Sequence, residues 1–194
     1  CLTLTGVEIF TRRDFAEIYG RAKELGFMVT LYTNATMVTE RHARLLAEDP
    51  PHSVEVSIYG ADAEHYEGTT GIPGSFARFE RGVSLLQGSG VNMVLKHPAS
   101  SLTADHVPAV RDWCAARGLP HKFSFEIENR HSGGQEPSVY RIQPRQVKAM
   151  RDELRSLTGT SELPLPECSI KTGSEDGVER LYTCGAGRFG VFID

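Results

Sequence analysis

The sequence predicts an α/β fold built on a parallel sheet, and three observations carry that expectation. Short β-forming runs alternate with helix-period segments five times along the chain, as strands joined by helical crossovers require. The joints are short and marked by Gly, Pro or a helix-capping residue. The runs Met28–Thr33 (MVTLYT) and Val91–Lys96 (VNMVLK) are apolar on both faces, as buried parallel strands are. Right-handed crossovers would set the helices outside the sheet. Five strands are too few for a closed eight-strand barrel. A partial barrel or an open α/β sheet remains, and periodicity does not separate the two.

Residues Cys1–Phe10 (CLTLTGVEIF) read as a strand entering a glycine turn whose backbone is free to approach a ligand. Asp14 and Glu17 form an acid-led helix start before Phe15, Ile18, Tyr19, Ala22 and Leu25, and Gly26 closes that helix. MVTLYT then runs into Asn34. Thr39 opens a short helix carrying Ala43, Leu45 and Leu46, stopped by Pro50-Pro51. Ser53–Tyr59 (SVEVSIY) is a strand ended by Gly60. The stretch holding Gly68, Gly71, Pro73 and Gly74 is too rich in turn residues for a regular element. Ser75 caps a helix with the stripe Phe76, Phe79, Val83 and Leu86, which Gly88 and Gly90 end. Thr103 caps a helix through Arg117 with Val107, Val110 and Cys114 on one face, and Gly118 ends it.

Lys122–Ile127 (KFSFEI) is the fifth strand, Arg130 to Gln143 a loop, and Pro144 the start of a last helix carrying Val147, Met150, Leu154 and Leu157. The domain organisation is therefore 1–158 as the α/β body, 159–180 as a linker rich in Gly, Pro, Ser and Glu, and 181–194 as the beginning of a second small unit. The sequence reads as a fragment cut at both ends.

Composition excludes several functions. At 194 residues the chain has room for one sizeable core, and 40% hydrophobic with 24% charged residues is ordinary for a soluble domain. A net charge of −4 supplies no attraction for nucleic acid. No apolar run approaches the ~20 residues of a membrane helix, and no signal peptide opens the chain. A cytoplasmic protein is expected, with no membrane partner. The cysteines at 1, 114, 168 and 184 are too widely spaced for a compact metal clip, and reduced thiols are expected. Cys114 continues a helix face and reads as core. None of the seven histidines forms a metal-spaced pair.

Ligands of parallel βα sheets sit at the carboxyl ends of the strands. Those ends are Gly6-Val7-Glu8, Thr33-Asn34, Ser57, Lys96-His97 and Glu126–Asn129. Polar groups of both charge signs suit a zwitterionic or nucleoside-bearing ligand. Strand ends are also polar simply because they meet water.

Five segments in order, LTLTGVEIF (2–10), VTLYTNAT (29–36), SVEVSIYGA (53–61) with Tyr66, GIPGSF (71–76) and CGAGRFGVFID (184–194), resemble radical S-adenosylmethionine (SAM) enzymes with a C-terminal SPASM extension. The resemblance implies a partial (β/α)6 barrel holding strands two to six, with the start of a SPASM-like appendage. It implies that Gly6 and Glu8 meet the amino group of SAM, that Ser57 meets its carboxylate or ribose, and that Asn34 lies in the turn where Ala35 replaces the family's glycine. Lys96 would meet an anionic group of cofactor or substrate. Cys184 would be a metal ligand, beginning an auxiliary iron–sulfur series; Cys168 reads as a loop thiol.

The implied activity is reductive cleavage of SAM to a 5′-deoxyadenosyl radical that modifies a peptide or protein, with a [4Fe-4S] cluster and an electron donor. The family's Cys-x-x-x-Cys-x-x-Cys loop is absent from the chain, so the fragment is expected to be inactive alone. Val7 and Ile9 depart from the family's glycine and proline, which keeps a non-catalytic barrel remnant acting as a binding or scaffold protein as the alternative. An unrelated α/β enzyme using Glu8 and Glu126 as acid and base ranks last.

Overall fold

The computed structural model describes residues 1–124, 136–142 and 146. Within them β1 (Leu2–Leu4), β2 (Val29–Thr33), β3 (Ser53–Ser57), β4 (Met93–Pro98) and β5 (His121–Ser124) form one sheet. Every neighbouring pair is parallel. The strand order is β1-β2-β3-β4-β5. That order decides between barrel and open sheet. Each crossover steps one strand in the same direction, so crossovers of one hand leave every helix on the same face. A doubly wound sheet reverses direction midway and carries helices on both faces. The sheet is therefore a barrel segment, as the sequence resemblance implies.

The helices are α1 (Phe15–Glu24), α2 (Glu40–Glu48), α3 (Ala63–Thr70), α4 (Ser75–Gly88) and α5 (Val107–Ala116). Side chains alternate between the two faces of a strand, and the core follows that alternation. Leu31, Val54, Val56, Ile58 and Leu95, all 0% exposed, meet Tyr19, Leu46, Phe79, Leu86 and Val110 from the helices. At about 1.5–3 kcal/mol per buried large apolar side chain, this helix-side layer holds the sheet in place. The opposite, inner face carries Thr30, Tyr32, Ser53, Glu55, Ser57, Lys96 and Lys122.

Helix ends expected from Gly26 and Gly118 are present. The Phe27 N–H reaches the Ala22 carbonyl and the Gly26 N–H the Lys23 carbonyl, and the same pair of bonds recurs at Leu119 and Gly118. This is the Schellman closure, which needs positive φ at the glycine. Thr39 caps α2 as expected, with His42 as its reciprocal partner.

Four expectations are corrected. The glycine-rich stretch contains α3: Asp62 accepts the His65 N–H at 2.9 Å, and Tyr66, 0% exposed, packs on Phe76 and Phe79. Tertiary anchoring overrides the turn composition. Ser75 is the first residue of α4, whose N-cap is Gly74, and its hydroxyl pairs with Thr70 at 2.9 Å. Thr103 precedes a 3-10 turn (Ala104–His106), and its hydroxyl turns back to accept the Ser100 N–H at 2.9 Å. The Asp14 carboxylate does not cap α1 because Arg12 holds it at 2.7 and 3.0 Å. A further 3-10 turn, Glu136–Tyr140, lies inside the expected 130–143 loop. Cys168, Cys184, the 159–180 linker, most of the last helix and the 181–194 unit lie outside the described residues.

Candidate functional site

At the carboxyl end of β1 the chain turns through Gly6, where φ is +150° and a side chain would be strained although space around it is open. Val7 projects fully into solvent. Glu8 turns inward and is only 7% exposed. Its Oε1 accepts the Thr33 hydroxyl at 2.7 Å and the Phe10 N–H at 3.2 Å. Oε2 accepts the Asn34 N–H at 2.8 Å. A carboxylate offers about four lone-pair directions, so one acceptor direction on Oε2 is left. Glu8 thus clasps the β1 turn to the end of β2 before it touches any ligand.

The next turn is built on that clasp. Thr33 passes on the network by accepting the Ala35 N–H at 2.9 Å. The Asn34 Oδ1 accepts both the Thr36 N–H and the Thr36 hydroxyl, at 3.0 and 2.6 Å. This leaves the Asn34 side-chain amide hydrogens as its donating end. Ala35 is held at φ +61°, the left-handed region, and is fully buried. Gly82 of α4 faces it so closely that a Cβ there would overlap the Ala35 carbonyl oxygen. Helix α4 therefore fixes this turn from behind.

Ser57 and Lys96 are register partners on β3 and β4. The Ser57 hydroxyl makes no hydrogen bond among the described residues. The Lys96 ammonium lies 5.4 Å from the Tyr32 ring centroid, within cation–π range, and pairs with no carboxylate among the described residues. The Lys122 ammonium crosses β4 to reach Glu55 at 2.6 Å. Burial, then the Glu55 carboxylate, push the Tyr32 phenol above its ordinary value. Two fully buried polar groups stand close by. Among the described residues the Tyr66 hydroxyl has no hydrogen-bond partner, and burial first, then Tyr59 and Glu8, raise its pKa. His97 bonds the Ile58 carbonyl through Nδ1 at 2.8 Å, while its Nε2 has no hydrogen-bond partner among the described residues. Burial holds it below the ordinary histidine value.

The structure thus bonds Glu8 to Asn34 beside the Gly6 turn and sets Ser57 beside Lys96; all five stand at carboxyl ends of neighbouring strands. Sequence reasoning named Thr33 only as a strand-end residue and passed over Tyr32, Glu55 and Lys122. The two-residue phase of Tyr32 and Glu55 against buried Leu31, Val54 and Val56 could have found those two. The bond from Thr33 to Glu8 had no local signal, because the two are 25 residues apart.

An open glycine turn, a buried acid with one free acceptor, an unengaged serine hydroxyl and an unpaired ammonium at the mouth of a half-barrel define an α/β protein that fits a small zwitterionic ligand. The Radical SAM superfamily model matches residues 1–107, and the chain belongs to that family of enzymes. Its cofactors are SAM and a [4Fe-4S] cluster. The corner described above fits SAM. Among the described residues no group of three or more His, Cys, Asp or Glu stands together to hold a metal, so no cluster ligand is assigned.

The AdoMet-dependent heme synthase of Nitratidesulfovibrio vulgaris is 25% identical over 111 residues, which are 57% of this chain and 29% of that protein. The AdoMet-dependent heme synthase of Methanosarcina barkeri is 36% identical over 86 residues, 44% of this chain and 25% of that protein. The chain spans less than a third of the length of these curated relatives. Among solved structures, native anSMEcpe with bound AdoMet and Cp18Cys peptide aligns with TM-score 0.61 at 19% identity, covering 80% of this chain and 45% of that one. Streptococcus suis SuiB bound to precursor peptide SuiA aligns with TM-score 0.65 at 12% identity, covering 80% of this chain and 34% of that one. At these identities the two structures show a shared fold. No helix among the described residues is long and apolar enough to cross a membrane.

Proposed function

We propose that this chain is the SAM-holding barrel of an enzyme that modifies a peptide or protein. The observation that carries the reading is the Glu8 clasp: a buried carboxylate, held by the turns after β1 and β2, keeps one acceptor free beside a backbone that only glycine relaxes. The Gly6 turn and the remaining Glu8 acceptor take the ammonium of SAM, and Ser57 takes its carboxylate or ribose. Asn34 donates from the neighbouring turn, and Lys96 meets an anionic group of cofactor or substrate. Bound SAM, given an electron by a donor partner, supplies a 5′-deoxyadenosyl radical for hydrogen abstraction. Residues 159–180 and 181–194 serve as linker and SPASM-like unit, with Cys184 an auxiliary cluster ligand. The chain taken by itself is inactive, because the cluster ligands are not among these residues.

The peptide is favoured by an inner sheet face that is polar rather than filled, and by the peptides carried by anSMEcpe and SuiB. The heme synthase relatives favour a second reading, in which the substrate is a tetrapyrrole. The experiment is anaerobic incubation of this barrel, within a cluster-loaded enzyme whose chain supplies the cluster ligands, with SAM and a reductant, assayed for 5′-deoxyadenosine and for a mass change in added peptide or porphyrin. Deoxyadenosine without any dependence on Glu8 or Ser57 would sink the site assignment. A mass change in the porphyrin alone would replace the peptide by the second reading.

A further inference from the structure

The inner face of the sheet carries a charge arrangement that the fold does not need. Lys96 and Lys122 are register partners on adjacent strands. Like charges placed opposite one another on one sheet face destabilise it. One carboxylate, Glu55, lies two positions before Ser57 on β3 and is reached by Lys122 from across β4. Its Oε1 holds Lys122 at 2.6 Å, while its Oε2 is buried with no hydrogen-bond partner among the described residues. The Lys122 side chain stays 45% exposed. The Lys96 ammonium lies over the Tyr32 ring and pairs with no acid among the described residues. The cluster therefore keeps one net positive charge on a face that a closed, self-filled barrel would pack with branched apolar side chains.

We propose that Lys96 and Lys122 form a receptor for a carboxylate of the substrate, with Glu55 steering the Lys122 ammonium until that carboxylate arrives. The substrate is accordingly an acidic molecule. This rests on the reading that substrate enters over the inner face, and it deepens that reading by naming the substrate's charge. Carboxylates come from two sources here, an acidic peptide side chain or a propionate of a porphyrin, and the shared chemistry is what the lysines recognise. Tyr32 forms the wall beside Lys96, and its phenol interacts with Glu55.

The test is equilibrium binding, without turnover, of two probe pairs to this barrel within a cluster-loaded enzyme whose chain supplies the cluster ligands. One pair is a glutamate-rich peptide and its glutamine counterpart; the other is a propionate-bearing porphyrin and its methyl ester. The acid member of at least one pair should bind about tenfold tighter than its neutral counterpart, and the pair that does so names the source. Lys122→Met and Lys96→Met should each remove most of that preference, and Lys122→Arg should restore it. Glu55→Gln frees Lys122 from its internal competitor and should tighten acid binding about threefold or more, a gain that a purely structural role for Glu55 would not produce.

Equal binding of acid and neutral forms in both pairs, or no binding by either acid, overturns the proposal. So does an acid preference that survives both methionine variants. SAM affinity is measured in parallel and should change less than about twofold in Lys122→Met. If SAM binding collapses while acid preference persists, the lysines serve the cofactor and the proposal fails. SAM cleavage in the absence of substrate reports on the cofactor site alone, so the two failures are distinguishable.

Discussion

Replacing Glu8 by Gln tests whether the clasp holds the mouth of the barrel. Oε1 accepts two donors and Oε2 one, so the glutamine oxygen takes the Oε1 position. Its NH2 then faces the Asn34 N–H, donor against donor. Losing that charge-assisted bond and leaving a buried N–H unsatisfied costs about 2–3 kcal/mol. The two bonds at Oε1 become neutral and weaken by about 0.5 kcal/mol each. Relief from burying a charge returns part of this, for a net loss of about 3 kcal/mol. Against a typical total of roughly 5–15 kcal/mol, that is a large fraction. With a urea slope of about 2 kcal/mol/M, the midpoint falls by about 1.5 M. The assay is urea unfolding followed by circular dichroism, with Thr33→Val and the double variant completing a cycle. The coupling between Glu8 and Thr33 should be about 1–2 kcal/mol. A Glu8→Gln protein within about 0.5 kcal/mol of wild type, or a double variant that is simply additive, refutes the clasp.

Other perturbations probe the neighbouring contacts. Ala35→Gly relieves the left-handed strain and should stabilise the protein by about 0.5–1 kcal/mol after the entropy of the unfolded glycine is counted; thermal unfolding reads it. Gly82→Ala drives a Cβ into the Ala35 carbonyl and should cost about 3 kcal/mol, with a loss of SAM affinity if the turn moves. Burial holds His42, His97, His106 and His121 below the ordinary 6.5. The unfolded chain therefore binds protons that the folded chain refuses, so stability is present above that value and is lost as pH falls below it. Urea midpoints should be lower at about pH 5.5 than at about pH 7.5, and His97→Gln should narrow the gap. The Cys114 thiol is fully buried and pushed up to about 12, so iodoacetamide should alkylate exposed Cys1 and spare Cys114 until the protein unfolds; peptide mass mapping checks this.

Features set by neighbours along the chain were legible without coordinates. Strand and helix alternation, the Thr39 cap and the closures at Gly26 and Gly118 arise from backbone bonds spanning a few residues, and local composition specifies those. Cys114 on an apolar helix face was readable for the same reason. The strand-end positions Gly6, Glu8, Asn34, Ser57 and Lys96 were readable because a parallel sheet presents one end of every strand on one side. What Glu8 does there was not. Two of its three donors come from the end of β2, 25 and 26 residues on, and the Lys122–Glu55 pair spans 67 residues. Such pairs are set by strand register, which a single sequence does not encode locally. Helix α3 lay hidden because its stability comes from Tyr66 packed on two phenylalanines, against its turn-rich composition. The choice between open sheet and barrel likewise waited on strand order, since the alternation is the same in both. Only the direction of successive crossovers, decided by which buried edges meet, puts every helix on one face.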